Sequence, residues 1–415
     1  MLEDKLPPRC TAGRGKKRVL IFSTAYFPLI GGAEIAVREI TNRINDIEFV
    51  MIAPRLKKDL LEKEKIDNVL IYRVGKGNNF DKFRLFFSGV KFAQSLGKFD
   101  IVWAIMASYA GLTALRFKKK NNDVKFLLTL QEGDSKTHIY KRVWFIWPYF
   151  KQIFKKADKI QAISKYLADW AREMGAKCEI SVIPNGVAVK RESENNLHHH
   201  KCNHKKIITV SRLVEKNGVE DLIKSLSYLD NNVHLTILGD GVLRSHLESV
   251  VKDNGLNERV HFVGSVSPED VYKHLAVANI FCRPSLSEGL GNAFLEAMAV
   301  SLPTIGTKVG GIPDFLIDDE TSLPGQSPPS VSPGKLSLSL AKTSLPGVAL
   351  AKTGWFCEVN NPESIAEKIK YILDEKNKEE VQKVVSNAKK MVEEKYNWEL
   401  IAKDINNIFK NLCEY

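Results

Sequence analysis

The sequence predicts an α/β protein built from two doubly wound parallel sheets. Three observations carry that expectation. Short apolar runs alternate with amphipathic helical stretches along most of the chain, the pattern of strands joined by crossover helices. The length of 415 residues exceeds what a single hydrophobic core ordinarily serves. Glycines and polar residues cluster directly after several apolar runs, where open parallel sheets bind their ligands.

Taken in order, residues 1–16 carry Pro7, Pro8, Gly13, Gly15 and several charges but no apolar core, and read as a tail that is neither signal peptide nor membrane anchor. Residues 17–23 form an apolar strand, followed by a turn with Gly31 and Gly32 and an amphipathic helix through Ile44. Strands at 49–53, 69–74, 100–106 and 124–130 extend the first domain, assigned to 17–190. The pattern stops in the polar run Glu192-Ser193-Glu194-Asn195-Asn196, so 191–206 is a linker. Strands at 207–210, 233–238, 260–263 and 280–282 found a second domain, 207–395, and a helix at 398–412 ends the chain. Within the second domain, Thr321-Ser322-Leu323-Pro324-Gly325 recurs as Thr343-Ser344-Leu345-Pro346-Gly347, and Leu340-Ala341-Lys342-Thr343 recurs as Leu350-Ala351-Lys352-Thr353. Residues 322–353 therefore read as a repeat-derived, low-complexity insertion, either a surface loop without chemistry or a partner-binding segment.

Composition removes several classes. The six cysteines, Cys10, Cys178, Cys202, Cys282, Cys357 and Cys413, have no paired spacing, which fits a reducing, cytoplasmic compartment. His198, His199, His200, Cys202 and His204 are metal-ligand types, but adjacent residues do not converge on one ion without a scaffold, and no metal site is assigned. Apolar runs fall far short of a bilayer span. The net charge of +12 is uneven, at +16 through residue 190 and −4 beyond it. The basic half interleaves rings with cations at 80–87 and 141–151. The first segment either docks on an anionic membrane face or packs the core, and core packing is the reading taken for the second. Nucleic acid is not assigned as a partner, because no helix-turn-helix, RNP or zinc-finger pattern is present.

The strongest candidate site is Ser287-Glu288-Gly289-Leu290-Gly291-Asn292-Ala293-Phe294-Leu295-Glu296. It follows the apolar strand around Ile280, so Gly289 and Gly291 fall at a strand-to-helix junction whose free N–H groups suit an anion. Glu288 and Glu296, eight residues apart, lie on one helical face and could meet different parts of one elongated ligand. The alternative is an acidic helix start with a solvated Glu further on. Arg212 and Lys216 sit on the loop after the strand ending at Val210, a fork and a point charge suited to two phosphates.

The run from Arg212 and Lys216 through Leu238-Gly239-Asp240-Gly241, Phe262-Val263-Gly264-Ser265, the Glu288/Glu296 pair and Gly310-Gly311-Ile312-Pro313 resembles the donor-binding half of the retaining GT-B glycosyltransferases of family 4. The first half is similar through Tyr26-Phe27-Pro28-Leu29-Ile30-Gly31-Gly32-Ala33-Glu34, Ala157-Asp158-Lys159-Ile160-Gln161-Ala162-Ile163-Ser164 and Val182-Ile183-Pro184-Asn185-Gly186-Val187. The resemblance implies two Rossmann-like domains facing a cleft, with the terminal helix, 396–415, packing back on the first. It also implies metal-independent, retaining transfer of a sugar from a nucleotide diphosphate sugar, needing no cofactor, to a glycan or lipid-linked acceptor in cell-surface polysaccharide or glycolipid synthesis. The basic first half and its aromatic-basic segment at 80–87 add the expectation of a membrane-proximal acceptor, with the protein peripheral on the inner face of the membrane. In that reading Arg212, Lys216 and Glu288 are catalytic. Gly31, Gly32, Gly239, Asp240, Gly264, Val266, Gly289, Leu290, Gly291, Asn292 and Glu296 bind the donor.

One departure stands out. Many family members carry a His after the strand corresponding to 125–130, where this chain has Gln131-Glu132-Gly133-Asp134. Gln131 can donate a hydrogen bond but takes no proton at neutral pH. Glu132, Asp134 and His138 are left as acceptor-side candidates, Glu132 first. The competing functions are a GT-B epimerase using the same diphosphate site and a non-catalytic scaffold that binds nucleotide or membrane.

Overall fold

Why these runs become parallel strands is visible in their burial. Strands covered on both faces by helices need continuous apolar sequence rather than alternation. The computed structural model describes residues 16–188, 204–318 and 351–414, in two compact units. One comprises the described residues through Thr129, 152–159 and those from Ile405 onward; the other comprises 130–151 and 160–404.

In the first unit lie β1 (Lys17–Phe22), β2 (Ile47–Pro54), β3 (Lys63–Ile66), β4 (Val69–Val74), β5 (Ile101–Ile105) and β6 (Lys125–Leu130, through Thr129). Their order is β3-β4-β2-β1-β5-β6. All neighbours pair in parallel except β3 with β4. Every residue of β5 is buried, as parallel pairing between covered faces requires. The helix Gly32–Asn42 buries Ala33, Ala36, Val37 and Ile40, one stripe at helical spacing. The C-terminal helix Trp398–Glu414 ends in this unit, where Phe409 packs 5.9 Å from Phe49 and 5.3 Å from Trp103, ring centre to ring centre.

The second unit contains β7 (Lys159–Ala162, from Ile160) paired in parallel with β8 (Ile180–Val182). It also contains β9 (Lys205–Val210), β10 (Val233–Leu238), β11 (Val260–Gly264), β12 (Ile280–Arg283), β13 (Thr304–Thr307) and β14 (Trp355–Cys357). These six form a sheet ordered β11-β10-β9-β12-β13-β14, parallel throughout. The order reverses at β9, whose neighbours are β10 on one side and β12 on the other. The topological switch point at which open sheets bind their ligands therefore lies beside β9. Cys282 and Cys357 are buried here as free thiols.

Two expectations change. Core packing over 141–151 holds for Phe150, which is 1% exposed, whereas Trp144 is 73% and Phe145 65% exposed. Those two rings occupy a 3-10 turn, Trp144–Ile146, at the join of two helices, and stand in solvent there. In the 80–87 segment, Phe80, Phe83 and Phe87 are exposed while Leu85 is fully buried. The insertion assigned to 322–353 falls outside the described residues through 350, but its last residues are anchored. Thr353 is buried, with Oγ1 donating to the Phe315 carbonyl at 2.6 Å and accepting from the Ile317 N–H at 2.9 Å. Lys352 pairs with Asp318 at 3.2 Å. The tail 1–15 and linker residues 191–203, with His198, His199, His200 and Cys202, also lie outside the described residues. Among those that are described, no helix is long and apolar enough to cross a membrane.

Candidate active site

The loop after β9 is built on two backbone constraints. Gly218 has φ +64°, and a Cβ there would stand 2.0 Å from the Pro284 carbonyl oxygen. The Lys216 carbonyl accepts from the N–H of Leu286 at 2.7 Å. The loops following β9 and β12 are therefore zipped together at their backbones, with Asn217 Nδ2 bracing the Arg212 carbonyl at 2.7 Å. Arg212 is exposed, and Lys216 is partly buried with its Nζ 2.9 Å from Asp134 Oδ1.

The loop after β12 is organised by Arg283, which the sequence reading passed over inside an apolar run. Its guanidinium is nearly buried, ion-paired with Glu288, and bonded to Ser285 Oγ at 3.2 Å and the Val210 carbonyl at 3.2 Å. A buried cation is tolerated only when its donors are satisfied. A lone Arg closing an otherwise apolar strand was the available signal. Arg283 also acts on Glu296, in the helix Asn292–Ala299. Burial pushes the Glu296 carboxyl up to about 7, opposed by the Arg283 charge. One buried cation thus serves both carboxylates of the sequence motif.

The expected anion-seeking N–H groups are partly engaged. The Gly289 N–H bonds to Glu288 Oε1 at 3.0 Å, because the carboxylate folds back over its own turn. Leu290 is buried, and Gly291 starts the helix at φ +101°. Gly310 and Gly311 serve close backbone approach: a Cβ on Gly310 would lie 1.8 Å from the Glu288 carbonyl oxygen, and one on Gly311 2.1 Å from that of Gly289.

Residues 131–138 belong to the same unit and close over this corner. Gly133 is the nearest approach, since a Cβ there would sit 3.0 Å from Lys216 Nζ and 3.5 Å from Glu288 Oε1. Ser287 Oγ donates to the Gly133 carbonyl at 3.2 Å. Burial raises the Asp134 carboxyl, but the hydrogen bond and charge of Lys216, with His138 and Arg212 behind, leave it lowered overall. Gln131 is buried and accepts from Asn185 Nδ2 at 3.1 Å, which also lies 3.5 Å from Asn292 Oδ1. Glu132 is buried, and its carbonyl oxygen would stand 2.3 Å from a Cβ on Gly289. His138 is exposed in the first turn of the helix Lys136–Val143, its N–H capped by Ser135 Oγ at 3.3 Å. Asp134, not Glu132, is the carboxylate that meets the Lys216 ammonium.

The remaining donor-side candidates form a backbone shelf. Gly239, at φ +120°, donates to the Gly264 carbonyl at 2.8 Å, and Gly264 has φ +84°. Asp240 is exposed and Val266 half-buried at the ends of β10 and β11. Gly31 and Gly32 lie in the first unit, at the start of the helix after β1.

Two parallel α/β units, with cations, carboxylates and tight glycine turns at the carboxyl ends of β9, β12 and β13, define a GT-B glycosyltransferase. The group 1 glycosyl transferase profile matches residues 190–330 and the glycosyltransferase family 4 profile residues 30–191. The chain belongs to this family. It is 26% identical over 404 residues to an uncharacterized glycosyltransferase of Methanocaldococcus jannaschii, covering 95% of this chain and 99% of the relative. It is also 26% identical over 211 residues, 46% of this chain and 55% of the other, to the GDP-mannose-dependent alpha-(1-6)-phosphatidylinositol monomannoside mannosyltransferase of Mycobacterium tuberculosis. Its fold matches that of Anabaena HepE, solved in complex with UDP-glucose, with TM-score 0.73 at 16% identity, covering 95% of this chain and 99% of that one.

Proposed function

We propose that the protein moves a sugar, with retention and without a metal, from a nucleotide diphosphate sugar to a glycan or lipid-linked acceptor. The observation that carries this reading is the Lys216 ammonium beside Gly133, Glu288 and Gly289, held in an ion pair that a diphosphate can replace. Arg212 and Lys216 neutralise the charge that grows on the leaving diphosphate, and preorganised charges of this kind usually lower a barrier more than any other single device. Glu288, fixed by Arg283, accepts from donor sugar hydroxyls. Glu296 meets the ribose. The bond from anomeric carbon to diphosphate oxygen breaks, the acceptor oxygen bonds to the same face, and its proton passes to the departing phosphate. A lipid-linked acceptor agrees with the exposed Phe80, Phe83 and Phe87 in a basic segment, and a relative acts on a phosphatidylinositol mannoside.

The test is turnover of Arg212→Ala and Lys216→Ala with the donor selected by a thermal-shift panel of nucleotide diphosphates and their sugars. Each variant should lose ~10²-fold or more in turnover while keeping its fold. Wild-type turnover in either would remove that residue from the diphosphate site.

A further inference from the structure

The sequence reading placed the rings of 141–151 in the core, and the structure leaves two of them in solvent. Trp144 and Phe145 lie in the 3-10 turn Trp144–Ile146 that joins the helices Lys136–Val143 and Trp147–Lys156. Their ring centres are 6.2 Å apart, edge to face. The helices on either side, by contrast, are tied down. Trp170 Nε1 donates to Tyr140 Oη at 3.0 Å, Lys136 pairs with Glu173 at 2.8 Å, and Trp147 packs 4.8 Å from Tyr140. The exposed turn is thus flanked by anchored helices.

Charge around the turn has one sign. Lys141 and Arg142 are exposed immediately before the turn, and no Asp or Glu occurs from Ser135 through Lys151. Adjacent exposed rings would ordinarily be a liability in water. Here cations alone flank them, so the fitting partner offers both apolar volume and anionic charge. A headgroup layer does this, taking rings below the phosphates and cations among them.

We propose that the Trp144–Ile146 turn is an insertion tip for a lipid surface carrying anionic headgroups. This deepens the lipid-linked reading of the acceptor and rests on it for the tip's purpose, while the surface itself rests on exposure and charge. The tip lies in the second unit and is distinct from the 80–87 segment of the first.

The experiment is co-sedimentation of the full chain with vesicles of phosphatidylcholine alone and of phosphatidylcholine mixed with phosphatidylglycerol. Wild type should bind the mixed vesicles and lose binding as salt rises. Trp144→Ser with Phe145→Ser should weaken that binding by at least ~10-fold, and Lys141→Ser with Arg142→Ser by roughly fivefold per charge. Both variants should keep the wild-type thermal shift with pyrophosphate, which reports an intact diphosphate corner. Undiminished binding of the ring variant, or equal binding of wild type to neutral vesicles, overturns the proposal. So does finding wild type dimeric and the ring variant monomeric, which would assign the tip to a second copy. Full turnover on a soluble glycan without vesicles would sink the lipid-linked reading and leave the vesicle data standing, so the two failures are separable.

Discussion

Replacing Asp134 with Asn should make the proposed diphosphate site a better anion binder. Asp134 pairs with Lys216 at 2.9 Å, with side-chain exposures of 43% and 21%. A pair this accessible is screened by water, and breaking it costs about 0.2–1 kcal/mol. Once a phosphate takes the ammonium, the Asp134 carboxylate remains nearby as a like charge. A unit charge pair at about 4 Å in water is worth about 1 kcal/mol, and a multiply charged phosphate raises that. Together these two effects oppose anion binding by about 1–2 kcal/mol, so Asp134→Asn should tighten pyrophosphate by roughly 5- to 30-fold. Isothermal titration with pyrophosphate at low and high salt measures it, and the gain should shrink as salt rises. A merely structural Asp134, needed to hold Lys216 in place, gives the opposite sign. Unchanged or weaker binding in a folded Asp134→Asn protein refutes the reasoning.

Two further outcomes follow from the second unit. Burial raises the Glu296 carboxyl to about 7, above its unfolded value, so its stabilising contribution is complete in acid and is lost as pH rises through 7; Glu296→Gln should therefore gain on wild type between pH 5 and 8, by up to about 3 kcal/mol, and melting curves with a constant gap across that range would remove Glu296 as the buried acid. Deleting 322–350 should leave a folded, active protein, whereas extending the deletion through Thr353, or making Thr353→Ala, strips the buried Phe315 and Ile317 backbone groups of their partner and should cost about 2–3 kcal/mol in denaturant unfolding; equal stability of the two deletions would contradict that role.

What the sequence disclosed follows from how each element is stabilised. Strands such as β5, β6 and β10 track the apolar runs because both of their faces are covered, which writes the strand directly into composition. β3 escaped notice because Lys63–Ile66 is a charged, partly exposed edge paired antiparallel, with no apolar run to betray it. β13 is four residues long and contains two Thr and a Gly, too little for a periodicity. In the site, residue types at spacing revealed the cations and the two glutamates. Arg283 and Asp134 did not emerge as the organising groups, since their importance lies in a partner 5 and 82 residues away. The exposure of Trp144 and Phe145 was equally invisible, because an aromatic-rich run has the same letters whether a layer covers it or not.

The chain leaves the second sheet's core at Ile317 and returns at Thr353, and the N–H of Thr353 bonds to the carbonyl of Ile317 at 2.8 Å. Departure and return are therefore clasped at one point, so the native contacts there are indifferent to how many residues intervene. For a flexible segment the closure entropy grows only logarithmically, by about 0.6 kcal/mol per doubling of length. A tandem duplication at such a clasp meets almost no thermodynamic resistance. The doubled Thr-Ser-Leu-Pro-Gly and Leu-Ala-Lys-Thr words of this chain are the kind of genetic slippage that a clasped junction lets persist, and the same junction is a natural place to graft a foreign peptide.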